Sequence, residues 1–443
     1  MNRKTRMGKR NLFVIPLISI LVINVIFSFI PLFPNVSIAC SFGKNIQTAR
    51  TGVRSYEFDG TIPRNVLESY LSRSTTYTSL LDRSFLEGWA EGDLNDSIRC
   101  VTNIGAKFLG RVVYTWNGED RLLKYINDSK QIATQIHGID PEIILQACFF
   151  ETVSIKAETI PVPAWVFEEF DLAAESRNFS FNDMYDVGGP HDDFWGADTA
   201  VPDMSKLETR MWCFFLAATY INISIEAIHF GQVALMSKND PDLIHWRDML
   251  HRVRDYAKIH ARRHMIICDA HVPNGGYIHD CKLLFDFHSF PQRPEELPGE
   301  PQKAQLILDH GDSIYKRSKG GITPSGWACD SLPYLVEFDN FGISGSPGED
   351  IGGVWIWGYD EITWYANQAE AYRNEYLSYA VRWLEQNDPN GFLQMPGSRP
   401  LTGHVNGTHF YFANTESVNM TKGFNQEETI KSIWEQMTNF YLN

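Results

Sequence analysis

Glu337 ends the apolar run YLVE and is followed closely by Asp339, Asn340 and Gly342. A carboxylate at the end of a buried strand can act as nucleophile, as base or as partner of a buried arginine. Polar groups close seven other β-type runs: RSYEFDG (54–60), FLGRVVYTW (108–116), IILQACFFE (143–151), SIEAIHFGQ (224–232), MIICDAH (265–271), KLLFDFHSF (282–290) and VWIWGYDE (354–361). They carry Asp59, Trp116, Glu151, His229, His271, His288, Trp357 and Glu361 to or near their ends, with Glu226 earlier in the fourth run and Trp364 just past the eighth. Chemistry placed at the C-terminal ends of buried parallel strands is how a (β/α)8 barrel presents a site.

The elements that must position these groups follow the same logic. Helical spacing of apolar residues over 120–137, 207–221, 241–260 and 368–385 falls between the strand runs, which predicts an α/β fold with a parallel sheet, a (β/α)8 TIM barrel. Only ten residues, VPNGGYIHDC, separate the fifth and sixth runs, too few for a crossover helix. Either KLLFDFHSF is a hairpin and KAQLILDH (303–310) the sixth strand, or the sixth unit lacks its helix. The third connection is long, an insertion between the third run and its helix over 152–205, with Trp165, Phe167, Phe170, Phe179, Phe181, Tyr185, Phe194 and Trp195 beside His191, Asp192 and Asp193. Such loops are usually functional. It is expected either to stand over the barrel mouth or to pack as a small subdomain. The turn DPNG at 388–391 opens a Gly/Pro/Asn/Thr-rich stretch that ends in an amphipathic helix over 426–441. The expected domains are therefore a leader over 1–39, a barrel over 40–387 and an irregular C-terminal extension over 388–443.

Arg3, Lys4, Arg6, Lys9 and Arg10 precede an apolar run over 12–33, the order of an export signal, so a secreted or cell-surface protein is expected. Ser37, Ile38 and Ala39 suit cleavage before Cys40, which alternatively is the lipidated residue of a bacterial lipoprotein; the run is also long enough to serve as an uncleaved anchor. A membrane is thus a partner only through this segment. The net charge of −15 argues against nucleic acid. Seven cysteines show no paired spacing; Cys148, Cys213 and Cys268 read as buried hydrophobes, while Cys100, Cys281 and Cys329 leave a disulfide open. No cofactor is called for, and no CxxC or Cys/His zinc pattern exists. The sequence does not speak to oligomeric state.

The strand set resembles the retaining glycoside hydrolases of clan A, in which the seventh strand ends in the nucleophilic glutamate and the fourth in the acid/base. YLVEFDNFG looks like the nucleophile strand, FDFHSF like the sixth, where a histidine sits near the sugar, and VWIWGYDEITW like the eighth, where a tryptophan floors the first subsite. The similarity covers residues 54–385 and departs at the fourth strand, where SIEAIHFGQ lacks the clan's Asn-Glu. The resemblance implies a carbohydrate substrate, Glu337 as nucleophile, and an acid/base among Glu226, Glu151 and Glu361. Asp59, Trp116, His229, His271, His288, Asn340, Trp357 and Trp364 would bind hydroxyls, orient carboxylates or stack on sugar. Glu337 is expected to face a pocket walled by Trp357 or Trp364, with His288 in hydrogen-bonding range and a second carboxylate across it, about 5 Å away for retention and farther for inversion. Two alternatives stand beside this. His229, His271 and His288 with Asp269, Asp286 and Asp360 could hold a divalent metal for hydrolysis. The missing Asn-Glu, with Trp116, Trp195, Trp355, Trp357 and Trp364 as stacking faces, would also suit a catalytically inactive barrel that binds glycans.

Overall fold

The computed structural model describes residues 54–84, 86, 91–340 and 359–440. The chain divides into two compact units, and all of these residues belong to the second, Cys40–Asn443. The expected leader over 1–39 and Trp355 and Trp357 lie outside the described residues. Among the described residues no helix is long and apolar enough to cross a membrane.

The fold is mixed α/β, built on one large curled sheet. Its strands are β1 (Ser74–Tyr77), β2 (Phe108–Val113), β3 (Ile144–Cys148), β4 (Ala227–Gln232), β5 (Ile267–His271), β6 (His288–Pro291), β7 (Tyr334–Glu337), β8 (Gly391–Leu393), β9 (Met395–Val405) and β10 (Thr408–Phe412). From β1 to β8 each strand pairs in parallel with the next in the chain. Only Gln394 separates β8, paired with β7, from β9, which pairs in parallel with β1. One continuous stretch of chain thus joins the two ends of the parallel array, and β10 adds an antiparallel hairpin arm.

Three expectations are corrected here. The run 54–60 is not the first strand: Asp59 and Gly60 make a turn, Pro63 caps α1 (Arg64–Leu71), and β1 is the short STTY that follows. The C-terminal stretch from 388, expected as an irregular extension packed on the barrel, instead supplies β8 to β10 of the main sheet with its first half. Its glycines and prolines read as loop, yet Gly397 is needed where β9 lies against β1, since a Cβ there would collide with the Tyr77 ring and the Thr76 carbonyl. The place of the eighth strand is taken by 391–405; of the run 354–361 only 359–361 are described, and Glu361 there opens a helix instead of ending a strand. The ambiguity at the sixth run resolves into both halves: Lys282–Leu283 pairs with Ile278–His279 as a hairpin, and His288–Pro291 continues as β6. No helix lies between His271 and Tyr334.

Helices α2 (Leu94–Ile104), α3 (Leu122–Ile139), α4 (Leu207–Ile221), α5 (Ile244–His260), α6 (Glu361–Asn367), α7 (Glu370–Asn387) and α8 (Glu427–Phe440) carry buried side chains into the large apolar cluster shared with the outward-facing strand residues. The long third connection is tied at its base by Val153–Ser154 pairing with Thr199–Ala200, and Phe167, Phe179, Phe181 and Tyr185 bury into that same cluster.

Period-2 alternation puts the other residues on the inner face, in layers. The floor is apolar: Phe108, Ile144, Ala227, Ile267, Phe287, Leu335 and Phe392 cluster with Val66, Leu67, Tyr70 and Leu71 of α1, which closes that end. Above it the layer is polar. Gln146 Nε2 donates to Asp269 Oδ1 at 2.7 Å, the Ser289 hydroxyl donates to Asp269 Oδ2, and Gln394 Nε2 donates to Ser74 Oγ at 3.0 Å. Gly110 makes room for these amides, because a Cβ there would collide with Gln394 and crowd Gln146. The charged groups lie on the inner face toward the strands' C-terminal ends.

Candidate active site

Glu337 is the last residue of β7, 2 % exposed, and both carboxylate oxygens are held. Arg111 of β2 grips it bidentately, Nε to Oε2 at 3.0 Å and Nη2 to Oε1. His271 at the end of β5 places Nε2 2.6 Å from Oε1, and Arg399 of β9 places Nη1 3.5 Å from Oε2. Burial alone would raise the pKa of this carboxyl, but Arg111, then Arg399 and His271, outweigh it and hold the group well below the usual carboxylate range. It is an ionised carboxylate in a water-poor place.

Arg111 reaches that position through an irregular backbone. Its φ is 62°, left-handed for a non-glycine residue, and the β2–β3 register slips between Leu109 and Val113. The bulge re-aims the side chain inward, as bulges beside functional sites do. Its carbonyl accepts from Ser79 N at 3.0 Å and its N–H donates to Gln146 Oε1 at 3.3 Å, so the strained residue leaves no backbone group unpaired. Arg399 also donates from Nη2 to Asn340 Oδ1 at 3.1 Å, and Asn340 Nδ2 lies 3.4 Å from the Tyr114 hydroxyl. Asn340 thus reaches the Glu337 cluster by way of Arg399.

His229 of β4 and Asp269 of β5 form the next buried pair, Nδ1 to Oδ2 at 2.8 Å. The His229 and His271 rings meet edge to face at 4.9 Å. Burial pushes the His229 pKa below its ordinary value, against the pull of Asp269. Its Nε2 is buried with no hydrogen-bond partner among the described residues, a deficit that typically costs about 1–3 kcal/mol.

Glu151 follows β3. Its carboxylate accepts from Gln232 N at 3.0 Å and from Gln232 Nε2 at 2.9 Å. Gly231 (φ 50°) permits the approach, since a Cβ there would collide with the Glu151 carboxylate. Trp195 of the long connection donates from Nε1 to the Glu151 carbonyl at 2.8 Å and meets Trp116 edge-on at 5.3 Å. Trp116 and Tyr114 in turn pack edge-on against Phe150, at 5.3 Å and 4.6 Å. Half-buried Trp116 and Trp195 are therefore brought together beside Glu151.

Other expected residues lie elsewhere. Glu226 precedes β4 at the opposite end, where Arg263 holds it bidentately at 2.6 and 2.9 Å and Arg262 adds an ion pair at 3.4 Å. Asp59 is exposed at that end too, 2.6 Å from His264 Nδ1. Glu361, in the first turn of α6, spends its oxygens on the N–H groups of Gln292, Arg293 and Asp339 at 2.9 to 3.2 Å, a clamp joining the segments after β6 and β7. Burial, with Asp339 adding to it and Arg293 opposing, pushes its pKa up to about 7. His288 is out of phase: Phe287 joins the inner floor and Ser289 the polar layer, so His288 faces the other way, its Nδ1 3.0 Å from Ser318 Oγ. It does not bond Glu337. Trp364 is fully buried in the outer core against Tyr376, donating to the Gln302 carbonyl, so it forms no pocket wall. The metal alternative finds no support in the arrangement. Asp360 caps α6 through Thr363, Asp286 pairs with Arg254, and among the described residues no three His, Cys, Asp or Glu side chains converge to hold an ion.

Arg111 and Arg399 went unread in the sequence. The signal for the first was present, a single arginine between Gly110 and Val112 in an otherwise apolar run. Burial of a charge at that spot demands an opposite charge on the inner face.

No protein-family model matches the chain, and no curated protein matches it. Among solved structures it is similar to the GH113 β-mannanase AaManA from Alicyclobacillus acidocaldarius, solved in complex with ManMIm. The identity is 9%, the match covers 82% of this chain and 97% of that one, and the TM-score is 0.39.

Proposed function

We propose that this chain is a (β/α)8 glycoside hydrolase-like protein that cleaves a glycosidic bond, with Glu337 as the nucleophile. The observation that carries the reading is Glu337 itself: a buried carboxylate at the C-terminal end of β7, kept ionised by Arg111, Arg399 and His271. A carboxylate desolvated and charged in this way is suited to bond to an anomeric carbon and to stabilise the positive charge that develops there. The Trp116–Trp195 pair beside Glu151 offers flat apolar faces of the kind sugar rings stack on. Of the carboxylates first considered for proton transfer, Glu226 and Glu361 are committed to structural partners at other places. Cys281 is disulfide-bonded, which supports the exported location that the leader implies.

The test is turnover of a panel of aryl glycosides and short oligosaccharides by the wild-type protein and by Glu337→Gln. Release of product by the first and not the second is the expected result; equal turnover by both would sink the assignment. A second reading, a barrel that binds glycans without cleaving them, is favoured by Gln232, which stands at the end of β4 where the resemblance calls for glutamate. Glycan binding by both proteins with turnover by neither would select it.

A further inference from the structure

The end of β4 offers an amide, but the same strand carries another proton-transferring group deeper in the sheet. His229 sits between its register neighbours Cys148 of β3 and Asp269 of β5. Its Nδ1 lies 2.8 Å from Asp269 Oδ2; with Nδ1 donating to that carboxylate, Nε2 of the neutral ring is a bare lone pair. Asp269 is itself fixed by Gln146 and Ser289, which sets the ring's orientation from below. Nε2 is buried, without a hydrogen-bond partner among the described residues. β4 and β7 lie three strands apart in the curled sheet, and His271 spans the gap between them: its ring is 4.9 Å from that of His229, and its Nε2 is 2.6 Å from Glu337.

We propose that the Asp269–His229 pair is the acid/base of this site. The assignment rests on the glycosidase reading. As a Glu337 oxygen bonds to the anomeric carbon, the glycosidic C–O bond breaks and its oxygen takes the proton from His229 Nε2. Water then bonds to that carbon and gives its proton back to Nε2, while the bond to Glu337 breaks and returns its electron pair to the carboxylate. His229 is the catalytic group and Asp269 a positioning residue that selects its tautomer. The groups facing His229 are Asp269 and His271 of β5, Arg111 of β2 and Cys148 of β3. Burial, Arg111 and His271 favour the neutral ring and Asp269 the charged one, so the proton is held only at acidic pH. kcat/KM is expected to fall as pH rises through this group.

The experiment compares a phenyl and a 2,4-dinitrophenyl glycoside of whichever sugar the wild type cleaves. The dinitrophenolate leaves without protonation and the phenolate does not. His229→Asn is expected to lose about 100-fold on the phenyl glycoside and far less on the dinitrophenyl one. Asp269→Asn should shift the falling limb of the pH profile to lower pH. Nitrogen NMR of the wild-type imidazoles, which needs no variant to fold, should show His229 protonated at Nδ1 and bare at Nε2 above the falling limb of the pH profile, and protonated at both nitrogens below it. A leaving-group-selective loss in Glu151→Gln in place of His229→Asn would overturn this assignment alone, as would the opposite tautomer. A wild type inert toward every glycoside would sink the glycosidase reading, and this assignment with it.

Discussion

Replacing Arg111 with methionine keeps most of the stem and removes the fork that holds Glu337. The carboxylate then stays buried with Arg399 at 3.5 Å and His271 at 2.6 Å as its remaining partners. Breaking one partner out of a buried ion pair costs roughly 3–5 kcal/mol, and the surviving partners place this variant near the lower end, about 3 kcal/mol. Because the Glu337 pKa is lower in the folded protein than in the unfolded chain, the stability it confers is present above the ordinary carboxylate pKa and lost as pH falls through the depressed one. The gap between wild type and Arg111→Met should therefore be level from pH 8 to about pH 5 and narrow only in stronger acid. Urea unfolding followed by circular dichroism across that range measures it. A gap under about 1 kcal/mol at pH 7 would refute the picture of a carboxylate held ionised by its arginine, as would a gap that widens toward acid. The backbone adds a separate test: at φ 62° glycine is unstrained and alanine is not, so Arg111→Gly should be about 1 kcal/mol more stable than Arg111→Ala, the reverse of the order usual in a strand.

Glu337→Gln should lower turnover of any glycoside the protein cleaves by at least about 1000-fold, read as kcat on the best aryl substrate. Glu226→Gln breaks the Arg263 fork at the far end of β4, so it should destabilise by about 3 kcal/mol in urea unfolding while kcat/KM at a permissive temperature stays unchanged. Glu361, whose pKa is raised to about 7 in the fold, contributes stability that is full below its ordinary value and lost as pH rises through about 7. Between pH 5 and 8 the wild type should lose on the order of 1–2 kcal/mol more stability than Glu361→Gln, which does not titrate and whose single amide oxygen can still accept from the Gln292 and Asp339 N–H groups.

The long buried strands were legible because their side chains announce them: IILQACFFE, MIICDAH and YLVEFDNFG contain β3, β5 and β7. The first and last strands were not. STTY is four residues of small hydroxyl side chains and a tyrosine, buried because β2 and β9 flank it rather than because its own residues are apolar. GFLQMPGSRP looks like loop, since its glycines and prolines meet the needs of close strand contact and not of a turn. Reading 54–60 as a strand therefore assigned Asp59 to the wrong end, and Trp364, read as a pocket wall, lies packed in the outer core. Phase was the other source of error. One residue decides whether a side chain meets the inner face or the helices, and neither run length nor composition reveals that His288 lies outside the phase of Phe287 and Ser289. Glu226 failed for a related reason, lying just before β4, at the end away from Glu337.

The layering of the inner face argues that the Glu337 cluster is what the lower layers are built to hold. A barrel interior of branched apolar residues packs well without polar groups, and here the floor formed by Phe108, Ile144, Ile267, Phe287, Leu335 and Phe392 does so. Directly above it, Gln146, Asp269, Ser289, Gln394 and Ser74 are buried polar groups whose hydrogen bonds at best offset their desolvation. Stability alone would favour methionine or leucine at several of those places. Their bonds run upward instead: Gln146 receives the strained Arg111 N–H on one side and steadies Asp269 on the other, so a single amide supports both the arginine that grips Glu337 and the carboxylate that orients His229. Two ionisable units thus share one polar foundation, the arrangement expected when geometry between them matters more than the stability forgone to keep it.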